Sequence, residues 1–210
     1  MNKLTTFFVF CILFYSVSLT AQEKKVLTNP EKFKTELKLQ AQKTTSIIAS
    51  FKQEKFMSFM KEPQLSEGMF YYEKANKMRW EQNIPTNYVM LINKESVRIK
   101  DNGKEKNIKG ANKMMGKINT LMLGLVNGDI IEDNSFTTNY FVSDAYYIVQ
   151  LIPKQKRLQS IFNTIELSFS KTTTRLKVLT FYESAEDKSV IKFFDEKFNQ
   201  PIHSSLFLTL

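Results

Sequence analysis

From residue 46 onward the chain is a succession of short stretches in which apolar and polar positions alternate. At 46–58, Ile47, Ala49 and Phe51 share one parity and Ser50, Lys52 and Glu54 the other, the pattern of a strand with one buried face. Further strands are predicted at 66–74, 77–83, 86–93, 96–100, 105–109, 136–142, 146–151, 164–169, 176–182 and 189–194. Lys74-Ala75-Asn76-Lys77 reads as the turn between two of them. Asn102-Gly103 reads as a two-residue hairpin loop, because both residues tolerate positive φ. The last segment, 202–208, again puts Ile202, Ser204, Leu206 and Leu208 on one parity. Two strands depart from the half-buried pattern. Residues 69–72 and 88–92 are apolar on both faces, which implies burial on both sides.

Two stretches follow a helical period instead. Asn29-Pro30-Glu31 is a helix start, with Phe33, Leu37 and Gln40/Ala41 at helical spacing and an end near Lys43. At 111–126, Met114, Ile118, Leu121, Met122 and Leu125 fall three and four apart, the stripe of an amphipathic helix that Asn127-Gly128 closes. Its methionines and internal glycines make it soft. The polar run 153–160 is a loop with room for one helical turn.

About ten or eleven strands, one N-terminal helix and one mid-chain helix follow from this, with no βαβ rhythm. The fold class is therefore mainly β, with an antiparallel sheet. No repeat or low-complexity linker divides the chain. Residues 1–21 read as a signal peptide, with Lys3, an apolar run over 4–19 and a cleavage point after Ala21. That run of about 16 residues is short for a membrane span, which takes about 20. Residues 22–210 then form a single domain. The one cysteine, Cys11, follows Phe10 inside the apolar run, which argues against lipid attachment and leaves the mature chain without disulfides. The formal charge of +9 is spread over dispersed lysines, as on a solvated surface, and export argues against nucleic acid as a partner.

Catalytic and metal chemistry find little support. His203 is the single histidine, so no zinc site or histidine-based triad can be assembled around a second one. There is no Walker glycine pattern and no G-x-S-x-G. Glu132/Asp133 and Glu186/Asp187 are sequence neighbours, which point to opposite faces of a strand and make no acid–base dyad there. The reading is a protein that is not an enzyme and needs no cofactor. What is abundant is apolar bulk, with 18 Phe, 8 Tyr and 9 Met. Most of it fills a core; a concave sheet with apolar walls also has room for a ligand.

The stretch from Ser46 to Glu81 carries a recognisable order of phrases: Ala49-Ser50-Phe51-Lys52-Gln53, Ser66-Glu67-Gly68, Met69-Phe70-Tyr71-Tyr72, Lys74-Ala75, Met78-Arg79-Trp80-Glu81 and then Pro85. In this order it resembles the periplasmic lipoprotein carriers of the LolA type, which have an ASF-x-Q strand, Ser-x-G, an apolar run, a basic-Pro turn and a tryptophan strand followed by proline. The chain departs from that pattern at Lys74-Ala75, where the family has Arg-Pro or Lys-Pro. The resemblance implies an incomplete, strongly curved antiparallel β-barrel with helices over its open side. It implies a lipid cavity with Phe51, Phe70, Tyr72, Met78, Trp80, Tyr88 and Met90 facing inward, and Met114, Ile118, Leu121 and Leu125 facing it from a lid. Lys74 would latch that lid, as a point charge rather than a planar fork. The implied function is a periplasmic, monomeric chaperone that carries the acyl chains of lipoproteins from an inner-membrane lipoprotein-releasing transporter complex toward an outer-membrane acceptor. Two other readings stay open: a LolA-like carrier of another acylated molecule, such as a glycolipid or lipid-linked pigment, and an exported β-domain with a dry core.

Overall fold

The computed structural model describes residues 24–94, 96–106, 123–124 and 128–210. The signal-peptide reading and the lid residues Met114, Ile118, Leu121 and Leu125 lie outside the described residues. The helices are α1 (Glu31–Lys43) and the single turn α2 (Lys156–Gln159), with 3-10 turns at Asp129–Glu132 and Ser204–Phe207. The first strands are β1 (Lys25–Val26), β2 (Ser46–Phe56), β3 (Gln64–Glu73), β4 (Lys77–Ile84), β5 (Tyr88–Asn93), β6 (Ser96–Asp101) and β7 (Lys104–Lys106). After them come β8 (Phe136–Val142), β9 (Tyr146–Pro153), β10 (Thr164–Ser170), β11 (Leu176–Tyr182) and β12 (Lys188–Phe198).

All these strands belong to one 12-stranded sheet, in the order β1-β8-β9-β10-β11-β12-β2-β3-β4-β5-β6-β7. Every pairing is antiparallel. Two meanders, β2–β7 and β8–β12, are joined where β12 pairs with β2, placing Phe193 opposite Phe51. The short strands β1 and β7 are the edges, so the sheet is open and not a closed barrel. The strand count exceeds the expected ten or eleven because β1, two residues long, carries no alternation to detect. The Asn102-Gly103 loop adopts the expected left-handed pair, φ 47° and 76°.

One face of the sheet holds the core. Across β3–β6 the register aligns Phe70, Trp80, Met90 and Ile99 in one row, and Tyr72, Met78, Ile92 and Val97 in the next. In the other meander Val149, Leu167, Leu179 and Ile191 form an equivalent row. α1 lies on the same core through buried Phe33 and Leu37. The Phe33 ring sits 4.7 Å from Tyr147 and 5.5 Å from Phe169. The helix starts where expected: Pro30 is its cap residue, and the Asn29 side-chain oxygen accepts from the Glu31 N–H at 3.3 Å. Leu123, Ile130 and Ile131 complete the cover. Gly128, at φ 75°, turns the chain against α1, where a Cβ would lie 3.3 Å from Ala41 Cβ.

The opposite face of β4–β6 is also buried, and here the expected terminal strand is replaced by something else. Residues 202–208 are not a strand: they include the 3-10 turn Ser204–Phe207 and lie across this face. Arg79, Leu91 and Arg98 form one row on it. Arg79 Nη1 donates to Leu206 O at 3.3 Å and Thr209 O at 2.7 Å, and Arg98 Nη1 donates to Leu208 O at 3.1 Å. Asn93 Nδ2 donates to Phe207 O at 3.1 Å. The chain end therefore covers Val89 and Leu91, which is why β5 is apolar on both sides. The residue that the turn buries is Phe207, which the parity of Ile202, Ser204, Leu206 and Leu208 leaves on the opposite side.

The surface charge is dispersed as expected. Lys24–Glu166, Lys52–Glu67, Lys55–Glu183 and Lys192–Glu54 are cross-strand or loop ion pairs at the solvent boundary. Pairs of this kind add little to stability.

Candidate functional site

A cavity of about 90 Å³ lies between α1 and the core face of five neighbouring strands, β10-β11-β12-β2-β3. α1 contributes Leu37, Gln40 and Ala41, and its C-cap contributes Thr44. The sheet contributes Ile47 and Ala49 from β2, Phe70 from β3, and Phe169, Leu176, Leu179, Phe193 and Phe198 from β10–β12. Thr174, Arg175 and Glu196 supply its polar lining on the sheet side. Room for roughly six to nine water-sized groups follows from that volume. A methylene takes about the same space as a water, so the cavity fits a segment of one alkyl chain.

Of the predicted cavity residues, Phe70 lines this space. Phe51, Tyr72, Met78, Trp80 and Met90 lie on the same face but are packed into the core beside it. Phe51 and Trp80 stack with ring centres 3.9 Å apart, and Phe70 meets Phe193 edge-on at 6.0 Å. Tyr88 packs against this cluster from β5, half-buried. Burial pushes the Tyr72 and Tyr88 phenols up, with Asp129 and Asp101 adding in the same direction. The parity of these six residues was thus readable, while their distance from the cavity was not. The cavity sits under α1, where β2 meets the second meander, and that pairing of distant strands leaves no local mark.

Lys74 donates from Nζ to Gln42 O at 2.6 Å, so it ties the β3–β4 turn to the C-terminal end of α1, where a cation also meets the negative end of the helix. Its expected partner, the 111–126 helix, lies outside the described residues except for 123–124. The turn itself explains why alanine rather than proline follows. Ala75 and Asn76 sit at φ 70° and 59°, and proline is locked near −65°. Ala75→Gly should therefore raise stability by roughly 0.5–1 kcal/mol, the left-handed penalty less the backbone entropy of glycine. Ala75→Pro should destabilise. Urea denaturation of the two variants checks the sign of each.

Sequence reasoning missed the residues that β10–β12 bring to the cavity. One signal was available. Phe193 and Phe198 both line the cavity although five residues apart, an interval that strict alternation forbids. The register shows the cause. Phe194 opposes Ser50 and Lys197 opposes Ile48, so Asp195 and Glu196 together face Ala49. This is a β-bulge, with Asp195 at φ 52°. The bulge turns Glu196 toward the cavity and leaves Asp195 in solvent. Glu196 Oε2 pairs with Lys177 Nζ. Among the described residues, Glu196 Oε1 is buried with no hydrogen-bond partner. An unmet buried acceptor costs about 1–3 kcal/mol. Arg175 Cζ lies 3.2 Å from the centre of the Phe198 ring. Burial lowers the Arg175 guanidinium below its ordinary value, opposed by Glu196. No group of three or more metal-type ligands occurs among the described residues.

Comparison with known proteins bears on the same architecture. The profile of the outer membrane lipoprotein carrier protein LolA matches residues 42–209. An outer-membrane lipoprotein carrier protein of Coxiella burnetii (strain CbuK_Q154) is 25% identical over 145 residues, 69% of this chain and 66% of that protein's length. Among solved structures, a LolA superfamily protein from Nitrosomonas europaea superposes with a TM-score of 0.43 at 9% identity, over 86% of this chain and 98% of the other. An uncharacterized conserved protein from Thermus thermophilus superposes with a TM-score of 0.47 at 10% identity, over 85% and 93%. In the Pseudomonas aeruginosa MucA/MucB complex the corresponding values are 0.41 and 8%, over 83% and 60%. With its profile match spanning most of the sequence, this chain belongs to the LolA family of outer membrane lipoprotein carrier proteins.

Proposed function

We propose that this protein is a periplasmic carrier that shelters the acyl chains of lipoproteins and ferries them from the inner to the outer membrane. The observation that supports this reading is the apolar cavity between α1 and the sheet in a chain of this family. Water cannot accommodate acyl chains without cost, and each buried methylene contributes about 0.8 kcal/mol. Six to nine methylenes would contribute roughly 5–7 kcal/mol before ordering costs, which corresponds to affinities in the micromolar range or weaker. That is strong enough to hold a chain in transit and weak enough to release it promptly. Enclosing three full chains would hold the cargo too tightly. Cargo is loaded by an inner-membrane lipoprotein-releasing transporter complex and handed to an outer-membrane acceptor or the membrane itself. Residues 1–21 direct export and are removed near Ala21/Gln22.

Purification without detergent, followed by lipid mass spectrometry, tests this reading. Acyl-bearing lipoprotein should be recovered with the protein; a glycolipid or pigment instead would reassign the cargo, and no acyl chain would reject the carrier role. Photo-crosslinkers at Phe70 and Leu176 should capture cargo. One at Glu81, on the face held by Arg79 at 2.7 Å, should not.

A further inference from the structure

We propose that the loop between β2 and β3, residues 57–63, is a membrane-docking tip whose Phe59 and Met60 enter the interfacial region of a phospholipid bilayer. This goes beyond the carrier reading and does not depend on it, because the tip is separate from the cavity. Ile47 and Ala49, near the start of β2, line the cavity, whereas the loop leaves β2 at its far end, after Phe56.

Eight large apolar side chains are exposed among the described residues, and four of them gather at this end of the sheet. Phe59 is 81% exposed, Met60 44%, Leu65 57% and Ile84 53%. Phe59 and Met60 lie in the loop, and Leu65 is the second residue of β3. Ile84 opposes Glu67 from β4, so it shares the face opposite the core with Leu65, one diagonal step away. Exposed apolar side chains scattered singly are ordinary, whereas four together expose roughly 400 Å², the size of patches that are often functional.

The loop is held so that these side chains stay outside. The Ser58 N–H donates to Asp187 Oδ1 at 2.7 Å, in the turn between β11 and β12, and the Met60 N–H donates to Met57 O at 2.8 Å. Asp187 is itself fixed, its N–H donating to Ser184 Oγ at 2.9 Å. The Ser58 N–H holds the Asp187 carboxyl below the ordinary carboxylate range, so the anchor persists at neutral pH. A loose loop would fold its phenylalanine onto the sheet; this one, tied on both sides of Phe59, presents it.

The area and charge of the patch select its occupant. A stable protein–protein contact buries about 800 Å² on each partner, roughly twice what the four side chains offer. A lipid interface needs no matching surface, since attachment scales with the apolar area inserted plus the attraction of cations to anionic headgroups. Around the tip, Lys52, Lys55 and Lys192 are paired with Glu67, Glu183 and Glu54. Lys61 and Lys188 offset Glu62 and Glu186, and the Asp187 carboxylate is engaged by Ser58. The tip is therefore close to neutral, and attraction toward anionic headgroups comes from the formal charge of +9 on the whole chain. A patch this small gives reversible attachment, as even a single acyl chain does.

The test is flotation of the purified protein with phosphatidylcholine vesicles, with and without phosphatidylglycerol. The protein should float with both, and better with the anionic lipid. Phe59→Ala should lower the partition coefficient by about tenfold, the low end for burying a phenylalanine side chain. Phe59→Ala combined with Met60→Ala should lower it further. Both positions are exposed, so urea midpoints of the variants should match that of the unaltered protein, which separates lost docking from lost folding. Phe59→Trp should still bind, and its emission should shift to the blue when vesicles are added. Lys171→Trp, in the β10–β11 turn at the opposite end of the sheet, should show no shift. Flotation that the double variant retains, on either kind of vesicle, would overturn the inference, as would an unshifted Phe59→Trp. Failure of the unaltered protein to float with both kinds would also overturn it and leave the tip to a protein partner.

Discussion

Replacing Gly68 with alanine is expected to disrupt the pairing of β3 with β4 and to cost several kcal/mol, at the upper end of single substitutions. A Cβ on Gly68 would lie 1.9 Å from the carbonyl oxygen of Glu81 and 2.8 Å from Gln82 Cα. Both are backbone atoms, so no rotamer change relieves the clash. The strands must separate, at the point where their register already shifts between Glu67 and Gly68. A domain of this size has total stability of about 5–15 kcal/mol, so a loss of roughly 4 kcal/mol removes a large share of it. Gly103→Ala is the control. Its Cβ meets nothing within 4 Å, and only its φ of 76° opposes a side chain. That variant should cost roughly 0.5–1 kcal/mol, the left-handed penalty less the backbone entropy that alanine saves. Urea midpoints decide the matter: equal losses at the two positions would mean that the close approach at Gly68 is absorbed elsewhere. Gly68 in the Ser66-Glu67-Gly68 phrase thus has a local reason, since only glycine fits beneath the β4 backbone.

Truncating Phe207 to alanine is expected to destabilise the protein by about 3–5 kcal/mol, as for other fully buried phenylalanines. The side chain is 1% exposed. At roughly 2–4 °C per kcal/mol for a chain of this length, Tm should fall by about 6–20 °C. The effect extends beyond the lost ring. Without its anchor the chain end leaves Leu91 exposed and withdraws the carbonyls of Leu206 and Thr209 from buried Arg79. Scanning calorimetry gives the magnitude. A shift corresponding to less than about 0.5 kcal/mol, typical of a surface change, would show that the terminal segment is not part of the core.

The elements of this fold were largely written in the order of its residues. Alternation at Ile47, Ala49 and Phe51 marked β2, Asn102-Gly103 marked a hairpin, and Phe33 and Leu37 marked the buried stripe of α1. These signals are local, because a strand or helix displays its buried face at a period of its own backbone. The same parity put Phe70, Tyr72, Met78, Trp80, Tyr88 and Met90 on one side of the sheet. Which of them borders open space was decided by the tertiary structure. Phe51 and Trp80 fill each other's neighbourhood by stacking, while Phe70 is left beside the gap under α1. Packing of this kind depends on where β12 meets β2, two strands more than 130 residues apart in sequence for pairs such as Phe51 and Phe193. The chain end was misread for the same reason: the cover of Val89 and Leu91 comes from across the fold, so their hydrophobicity reported burial without naming what buries them. Glu196 is the clearest case. In sequence it is one more charge after Phe193-Phe194-Asp195, and alternation sends it to solvent. Only the pairing of two residues against Ala49 turns its carboxylate inward, because a bulge is a property of the ladder between two strands and not of either strand alone.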